Sequence, residues 1–484
     1  MTPADWLTLI VLLPLFGAMA AFVLPRAGHL PGILALAGTG LAVAMTAAEV
    51  ARAGVLIVPL GGWGAALGID LRADGLSVVM LIMTLGVGAL ASVGAAGGLG
   101  ARGAPGDQHR QLRYYWPLWL LLLTGLNGVY LSTDIFNLYV MIEVIALAAV
   151  GLAVLSGKVA ALRAGLEYMY ASILGALMFL LGTGLVYLEL GRLDIGGLAA
   201  AAPSPTLGAA LGLMVVGLGL KTAAFPLHFW LPAAHANATA PVSALLSGLV
   251  IKAALFILLR LLQAMPQPGD ALLGVIGLMG TGAVIWGGIQ ALRAERLKLM
   301  VAWSTVAQVG LILVALVRAG PAGLTDSWKA AVILMLAHGV AKAAMFLAVG
   351  RIRDEIGHDR IRDLDRAPTR PALAQFTFAL AAISLIGLPP SLGFIGKWSL
   401  MEGALSAGYW HWVAVAMIGT LFSIVYFSRV LAGFLRFDRV RGTLEEHKGW
   451  AAADAAPLAL AVAAVGLGLM AAPILSFLDA GVLP

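Results

Sequence analysis

The chain has 484 residues, of which 61% are hydrophobic and 11% are charged, and its mean hydropathy is +0.97. Soluble domains carry roughly 25% charged residues, so this composition predicts an integral membrane protein. The absence of cysteine excludes disulfides, thiolate-bound iron–sulfur clusters and a cysteine nucleophile, so any electron transfer must take place on another chain. The net charge of +6 is explained by Lys and Arg in cytoplasmic loops, and no motif indicates a nucleic-acid partner.

Fourteen transmembrane helices are predicted from windows of about 20 apolar residues, the length that crosses the hydrocarbon layer. The predicted spans are 5–25, 31–51, 74–97, 115–132, 134–156, 163–189, 206–228, 238–263, 270–291, 298–318, 327–350, 372–402, 410–436 and 454–478. We expect the first span to be a transmembrane helix and not a cleaved signal peptide, because Asp5 stands where a basic n-region would be and residues 6–24 are long enough to cross the membrane.

The distribution of basic residues predicts the orientation of these spans. Loops after odd-numbered spans, counted with the adjoining span ends, hold 19 Lys and Arg, including Lys298, whereas loops after even-numbered spans, counted in the same way, hold 6, including Arg260. This bias predicts odd-numbered loops in the cytoplasm and both termini on the extracytoplasmic side of the inner (plasma) membrane. The other five basic residues fall within spans: Lys221, Lys252, Lys342, Lys397 and Arg429. Arg429 borders a basic loop and is interpreted as a snorkelling anchor.

The fifth span, "DIFNLYVMIEVIALAAVGLAVL", carries an acidic residue at membrane depth. Glu143 lies between Ile142 and Val144, well inside the span. A charged side chain at a helix centre costs about 2.5–3.5 kcal/mol, and such residues usually mark a path for ions or protons. The alternative is a structural ion pair in which Glu143 neutralises one lysine.

The seventh and eighth spans place two lysines around three prolines, in "GLKTAAFPLHFWLPAAHANATAPVSALLSGLVIKAALFILLR". Lys221 precedes Pro226 by five residues, and Lys252 lies too deep in the eighth span to snorkel easily. The prolines predict a broken helix whose unpaired carbonyls must face protein or water. The alternative role for Lys221 is to cap the broken helix end.

A carboxylate beside a buried lysine holds the proton on that lysine, and their separation releases it. Glu143 and Lys221 are therefore predicted to act as a switch, with Lys252 and two histidines, His228 and His235, accepting the proton through water. The alternative for each histidine is a hydrogen-bonded structural residue. Their spacing of seven is poor for metal ligands, so no metal site is predicted.

Two further lysines lie in later spans. Lys342 follows His338 by one helical turn in "LAHGVAKAAMF", so both side chains share a face; a proton relay and a polar seam between helices explain this pair equally well. In "IGLPPSLGFIGKW", two prolines and three glycines precede Lys397 and predict that the long span 372–402 is broken. Lys397 either ends the proton path or snorkels from the helix end.

Four segments together resemble the antiporter-like membrane subunits shared by respiratory complex I, group 4 membrane-bound hydrogenases and multi-subunit Mrp cation/proton antiporters. These segments are "GLNGVYLSTDIFNLYVMIEV", "KTAAFPLHFWLPAAHANATAPVSALLSGLVIKAALF", "LAHGVAKAAMF" and "GLPPSLGFIGKW". The resemblance covers nearly the whole chain. It implies an all-α polytopic membrane protein of about 14 transmembrane helices, with two inverted five-helix repeats and two broken helices. The implied divisions are three N-terminal helices (1–114), a first repeat (115–263), a second repeat (270–436), and a C-terminal loop with the last helix (437–484).

The same resemblance implies roles for four residues. Glu143 and Lys221 match the family's glutamate–lysine pair, Lys252 matches its connecting lysine, and Lys397 matches the terminal residue of the half-channel. Lys397 argues against the complex I subunit type that carries glutamate at this position. The segment "DIFNLYVMIE" is most similar to the Mrp D subunit, and the sequence shows neither the lateral helix of the distal complex I subunit nor the extension of the Mrp A subunit.

The leading interpretation is therefore a proton-translocating subunit of an Mrp-type Na+/H+ antiporter. The alternatives are a proton-pumping subunit of a redox-driven hydrogenase or quinone-reducing complex, a membrane subunit that energises inorganic-carbon uptake, and a scaffold whose buried charges only fix helix packing. The expected partners are other membrane subunits, the lipid bilayer and protons, with Na+ as a second candidate ion. No cofactor and no catalytic residue are predicted, and the sequence leaves open whether the whole complex is an enzyme.

Overall fold

The computed structural model describes residues 3–24, 28–62, 68–98, 105–265, 269–317, 327–366, 371–436 and 452–481. Of the basic residues used to predict the orientation, Arg26, Arg102, Arg318, Arg370, Arg439, Arg441 and Lys448 lie outside these ranges. The helices of the first half are α1 (Pro3–Val23), α2 (His29–Ala53), α3 (Gly75–Gly98), α4 (Pro105–Leu131), α5 (Ile135–Ala153), α6 (Val159–Leu190), α7 (Ile195–Ala199), α8 (Pro205–Thr222), α9 (Trp230–Asn237), α10 (Ala240–Leu245) and α11 (Ile251–Ala264). The second half holds α12 (Asp270–Arg293), α13 (Leu297–Leu316), α14 (Ser327–Ile356), α15 (Ala372–Ile386), α16 (Leu392–Ser406), α17 (Trp410–Leu435), α18 (Ala452–Gly466) and α19 (Ala471–Leu478).

Within the described ranges, twelve helical segments are long and apolar enough to cross a membrane. The two other predicted spans, 115–132 and 372–402, are occupied by α4 and by the pair α15 and α16. The predicted all-α polytopic membrane fold is confirmed. The sequence did not predict the short antiparallel hairpin between α2 and α3, in which β1 (Leu56–Pro59) pairs with β2 (Asp70–Ala73).

Three segments form the centre of the bundle. The apolar windows of α14 and of the segment Ala240–Ala264 are 100% buried inside the protein, and that of α13 is 89% buried, compared with 28% for α1. Helices covered on all sides are separated from lipid by their neighbours, so polar side chains on them meet protein groups instead of hydrocarbon.

Both predicted helix breaks are present. The first falls between α8 and α9, where the chain turns at Ala223 with a φ of 55°; the predicted span 206–228 therefore ends six residues early, at Thr222. The second falls between α15 and α16, where Gly387 has a φ of 85° and two prolines follow. Proline has no N–H to donate, so neither helix can continue through its break with a full set of hydrogen bonds.

Candidate functional site

The only membrane-depth carboxylate among the predicted site residues forms an ion pair. The Lys221 ammonium on α8 lies 2.9 Å from Glu143 Oε1 on α5 and donates a second hydrogen bond, of 3.0 Å, to Ser172 Oγ on α6. The side chain of Lys221 is 8% exposed, whereas that of Glu143 is 29% exposed. Lys221 is therefore held inside the protein, and Glu143 reaches it from the surface of the described chain.

Two glycines bring the partners of Lys221 within reach. A Cβ atom on Gly217 of α8 would lie 2.4 Å from the Gly175 carbonyl oxygen of α6, so only glycine permits this approach of the two backbones. The contact lies one turn from both Ser172 and Lys221. Close packing of α6 against α8 thus places the serine hydroxyl beside the ammonium.

Lys221 lines a small cavity that borders α11. The cavity has a volume of about 20 Å³ and is lined by Lys221, Ser172 and Tyr168 on one side and by Val250, Ala253 and Ala254 on the other. A volume of roughly 10–15 Å³ is enough for one water molecule. One water can therefore stand between Lys221 and the turn of α11 that carries Lys252.

Lys252 lies just after a π-helical segment, Leu246–Val250, that joins α10 to α11. Its ammonium is fully buried and donates to the Ser247 carbonyl oxygen within that segment. Such π-helical turns are frequent at functional sites. The π segment also packs closely on α14, since a Cβ atom on Gly339 would lie 2.9 Å from the Gly248 carbonyl oxygen and 3.6 Å from Lys252 Cε.

This contact places Lys252 beside the histidine and lysine of α14. His338 is buried and interacts electrostatically with Lys252, Lys342 and His235, yet among the described residues neither of its ring nitrogens has a hydrogen-bond partner. Lys342 is fully buried and donates to the Val301 carbonyl oxygen of α13 at 2.9 Å. The centre of the bundle therefore brings together two lysines and two histidines, and both ammonium groups are held by uncharged oxygens of the described residues.

Lys397 lies at the second helix break. Its ammonium donates to the carbonyl oxygens of Leu385 at 3.0 Å and Ile386 at 2.8 Å, the last residues of α15, and the residue is 3% exposed. The snorkelling alternative for Lys397 is therefore wrong. Lys397 caps the broken end of α15, the role that was considered for Lys221 at the first break. At that first break, Trp230 Nε1 donates to the Leu220 carbonyl oxygen instead.

The two histidines near the first break differ in their surroundings. His235 stacks on Phe346 with ring centroids 4.9 Å apart and interacts electrostatically with Lys252, Lys298 and Lys342. His228 lies between two aromatic rings, 5.5 Å from the centroid of Phe225 and 5.5 Å from that of Trp303. The structure brings His235 to the buried lysines and leaves His228 in an aromatic cluster.

Two basic residues that were assigned to loops are buried in helices. Lys298 lies in the first turn of α13, is 3% exposed and donates to the Ala238 carbonyl oxygen after α9. Arg260 lies in α11, and its guanidinium donates to both carboxylate oxygens of Asp74, just before α3, at 2.6 and 2.7 Å. Burial alone would raise the pKa of the Asp74 carboxyl, but the charge and hydrogen bonds of Arg260 outweigh it and hold this pKa below 3.8. Both loop assignments are wrong, because hydropathy at the edge of a span does not show which partners the side chain meets.

Neutral polar side chains continue the line from Lys342 towards Lys397. They are Ser304 and Gln308 on α13 and Ser423 and Tyr426 on α17. Nothing in the sequence singles them out, because serine, glutamine and tyrosine are common in helices and only their partners on other helices distinguish them.

Residues 132–423 match the protein family described as NADH:quinone oxidoreductase/Mrp antiporter, TM. The chain belongs to this family. Among its relatives, the N subunit of the NADH-quinone oxidoreductase of Desulforudis audaxviator is 35% identical over 439 residues, which cover 87% of this chain and 85% of the relative. The D subunit of the Na(+)/H(+) antiporter of Bacillus subtilis is 26% identical over 439 residues, which cover 89% of this chain and 86% of the relative.

Solved structures of the family's complexes have the same fold. A chain of the Mrp complex from Dietzia sp. DQ12-45-1b superposes with a TM-score of 0.87 at 26% identity, covering 99% of this chain and 97% of that one. A chain of the membrane-bound sulfane sulfur reductase, an archaeal respiratory membrane complex, superposes with a TM-score of 0.88 at 25% identity, covering 98% and 96%. These family members are parts of multi-subunit membrane complexes, which supports other membrane subunits as partners of this multi-pass chain.

Proposed function

We propose that this chain carries protons across the membrane as a subunit of a multi-subunit complex, through a line formed by Glu143, Lys221, Lys252, Lys342 and Lys397. The observation that carries the proposal is the Glu143–Lys221 ion pair, whose lysine lines a water-sized cavity beside the helix of Lys252. Ionisable groups at membrane depth are costly and are usually retained for ion or proton transfer. His235 and His338 lie among the lysines and serve as further proton acceptors.

The first step follows from the two partners of Lys221. While Glu143 is in contact, the carboxylate and Ser172 hold the ammonium and its proton. When Glu143 moves away, one neutral hydroxyl remains as a partner, and a buried charge with so little compensation is unfavourable. Lys221 then releases its proton through water in the cavity towards Lys252.

The exposure of Glu143 supports a partner subunit on this face. Its side chain is 29% exposed on α5, beside the exposed apolar residues Phe136 and Leu147. A charged group facing lipid at a helix centre costs about 2.5–3.5 kcal/mol. A neighbouring membrane subunit that covers Glu143 removes this cost and can supply or receive its proton.

We assign the complex to the Mrp type, which exchanges Na+ for H+, with the plasma membrane as its location and both termini outside the cytoplasm. The similarity to the antiporter's D subunit supports this assignment. The 35% identity to the N subunit of NADH-quinone oxidoreductase favours a second candidate, a redox-driven complex whose electron carriers lie on partner chains. Affinity purification of the native complex separates the two, because the first predicts small membrane subunits and the second predicts iron–sulfur proteins.

Lys221→Ala tests the proton-transfer proposal in the assembled complex. Loss of a positioned proton-transfer group typically slows a reaction by 10²–10⁴-fold, so we expect proton transport into sealed vesicles to fall by about 100-fold or more. Lys158→Ala, the same change at an exposed lysine before α6, should leave transport unchanged. Normal transport by an assembled Lys221→Ala complex would show that the proposal is wrong.

A further inference from the structure

Hydroxyl groups extend the polar line beyond Lys342. The Lys342 ammonium donates to Ser304 Oγ, and the Tyr426 hydroxyl interacts with both Ser304 and Gln308. Tyr426 Oη lies 3.0 Å from Ser423 Oγ. Three hydroxyl groups, each able to accept and donate a hydrogen bond, thus lead from Lys342 into the space between α13 and α17.

The last part of the line, from Ser423 to Lys397, has a different chemistry. Gln308 Nε2 donates to Ser423 Oγ at 3.3 Å and to the Leu385 carbonyl oxygen at 3.1 Å. Lys397 Nζ donates to the same carbonyl oxygen at 3.0 Å. Gln308, Ser423 and Lys397 are all buried, so the amide lies between the hydroxyl groups and the terminal lysine without free access to solvent.

The direction of these hydrogen bonds shows that the line is interrupted here. The Leu385 carbonyl oxygen can only accept, and it receives hydrogen bonds from both sides, from Gln308 and from Lys397. Ser304 Oγ and Ser423 Oγ each donate to a carbonyl oxygen of their own helix, that of Val301 at 2.9 Å and that of Gly419 at 2.8 Å. A hydroxyl group can rotate out of such a bond and donate elsewhere, whereas the Leu385 carbonyl oxygen has no proton to donate. A carboxamide neither gains nor loses a proton near neutral pH, so these contacts of the described residues do not form a proton-conducting chain from Ser423 to Lys397.

We propose that Gln308 is the gate of the proton line, a positioning residue that keeps the hydroxyl chain and Lys397 apart until its side chain turns aside and water joins them. The proposal rests on the proton-transfer function given above. Transfer begins after the Lys397 ammonium has released its own proton. In the open state the Lys342 ammonium then gives up one proton, each hydroxyl and each water accepts one proton and releases one, and a proton ends on the neutral Lys397 amine. The interruption is restored when Gln308 returns to the Leu385 carbonyl oxygen.

Water fits the position that the amide leaves. A glutamine side chain beyond Cβ takes up more space than the roughly 30 Å³ share of one water molecule, and a buried water needs two to four polar partners. Ser423 Oγ and the Leu385 carbonyl oxygen contact the amide, and Lys397 Nζ contacts the same carbonyl oxygen, so these three groups would supply the partners. Water therefore occupies the site when the Gln308 side chain is removed.

The passive proton leak of the assembled complex tests the gate. The complex is sealed in vesicles, a pH gradient is imposed without any ion gradient or redox substrate to drive transport, and the decay of the gradient is followed with a pH-sensitive dye. We expect Gln308→Ala to raise the leak on the order of tenfold, the factor that one lost buried hydrogen bond can contribute to an opening equilibrium. Gln308→Leu fills the space without polar atoms, so its leak should stay at the wild-type level while driven transport falls.

Two controls relate the leak to this line. Gln290→Ala makes the same change on α12, away from the line, and should leak like the wild type. Gln308→Ala combined with Lys397→Ala should also return the leak to the wild-type level, because the proton then has no acceptor beyond the gate. A residue that only tied α13 to α17 would lower stability and driven transport when removed but would not raise the leak.

The gate is wrong if assembled Gln308→Ala leaks like the wild type, or if the leak persists in the double variant. These outcomes are distinct from failure of the proposed function. If Lys221→Ala abolishes driven transport while Gln308→Ala does not leak, only the gate fails; if Lys221→Ala transports normally, the proton line itself fails.

Discussion

Replacing Glu143 by glutamine removes the charge of the ion pair while keeping its shape. Breaking a buried ion pair costs about 3–5 kcal/mol, and the lower end applies here because the carboxylate is 29% exposed. Since about 1.4 kcal/mol corresponds to a factor of ten, the charged form of Lys221 should become roughly 100-fold less favourable. We therefore expect Glu143→Gln to lower driven proton transport by about 100-fold.

The contribution of Ser172 provides an internal comparison. Ser172→Ala removes one hydrogen bond of 3.0 Å to the same ammonium. A hydrogen bond to a charged group is worth about 1.5–3 kcal/mol, so the effect should be smaller than that of Glu143→Gln. Because both groups hold one ammonium, the double variant should deviate from the sum of the single effects by about 0.5 kcal/mol or more.

The assay is the initial rate of proton uptake by vesicles that contain equal amounts of assembled complex. Glu189→Gln, the same change at an exposed residue near the end of α6, serves as the matched control. The reasoning is refuted if Glu143→Gln transports within about twofold of the wild type, or if Ser172→Ala is the more damaging change.

Three further predictions concern packing and stability. Asp74→Asn leaves Arg260 without its carboxylate and should destabilise the complex by about 3–5 kcal/mol, measured as a lower melting temperature. The pKa of the Asp74 carboxyl is lowered in the folded protein. The stabilisation by the charged carboxylate is therefore present above about pH 4 and is lost as the pH falls through the lowered pKa. An equal melting temperature at pH 7 would contradict this. Gly339→Ala should cost about 1–3 kcal/mol and lower transport by separating Lys252 from α14, whereas Gly274→Ala, at a position with no atom within 4 Å, should do neither. Lys298→Met replaces a buried ammonium by an apolar side chain of similar length. Burying a charge is costly, so we expect an unchanged or higher melting temperature, and a large decrease would show that its contact with the Ala238 carbonyl oxygen is essential.

The broken helices show which structural features can be predicted from local sequence and which cannot. Pro226 and the pair Pro389 and Pro390 predicted both interruptions, because the loss of an N–H donor is a property of the residue itself and requires no tertiary contact. The same reasoning placed the end of α8 six residues too late, since the chain turns at Ala223, before the proline. Proline marks that a helix must end, whereas the packing around the break decides where it ends.

The burial of Lys298 and Arg260 could not be predicted from local sequence. Hydropathy does not distinguish these two residues from residues in loops. Their burial in the protein is evident only from their contacts with Ala238 and Asp74, which lie far away in the sequence. The role proposed for Gln308 likewise depends on its hydrogen bond to the Leu385 carbonyl oxygen, 77 residues further along the chain. No single-sequence pattern reports such pairs.

By itself the sequence determined that the chain is a polytopic helical membrane protein, that two of its helices break, and that acidic and basic side chains lie within apolar segments. These are properties of composition and of local backbone chemistry. The tertiary structure alone decided that α11, α13 and α14 occupy the centre and which oxygen each ammonium contacts. The apolar residues of α13 and α14 follow almost no one-sided pattern that would mark a buried face, so the rotation and the neighbours of these two helices follow only from packing.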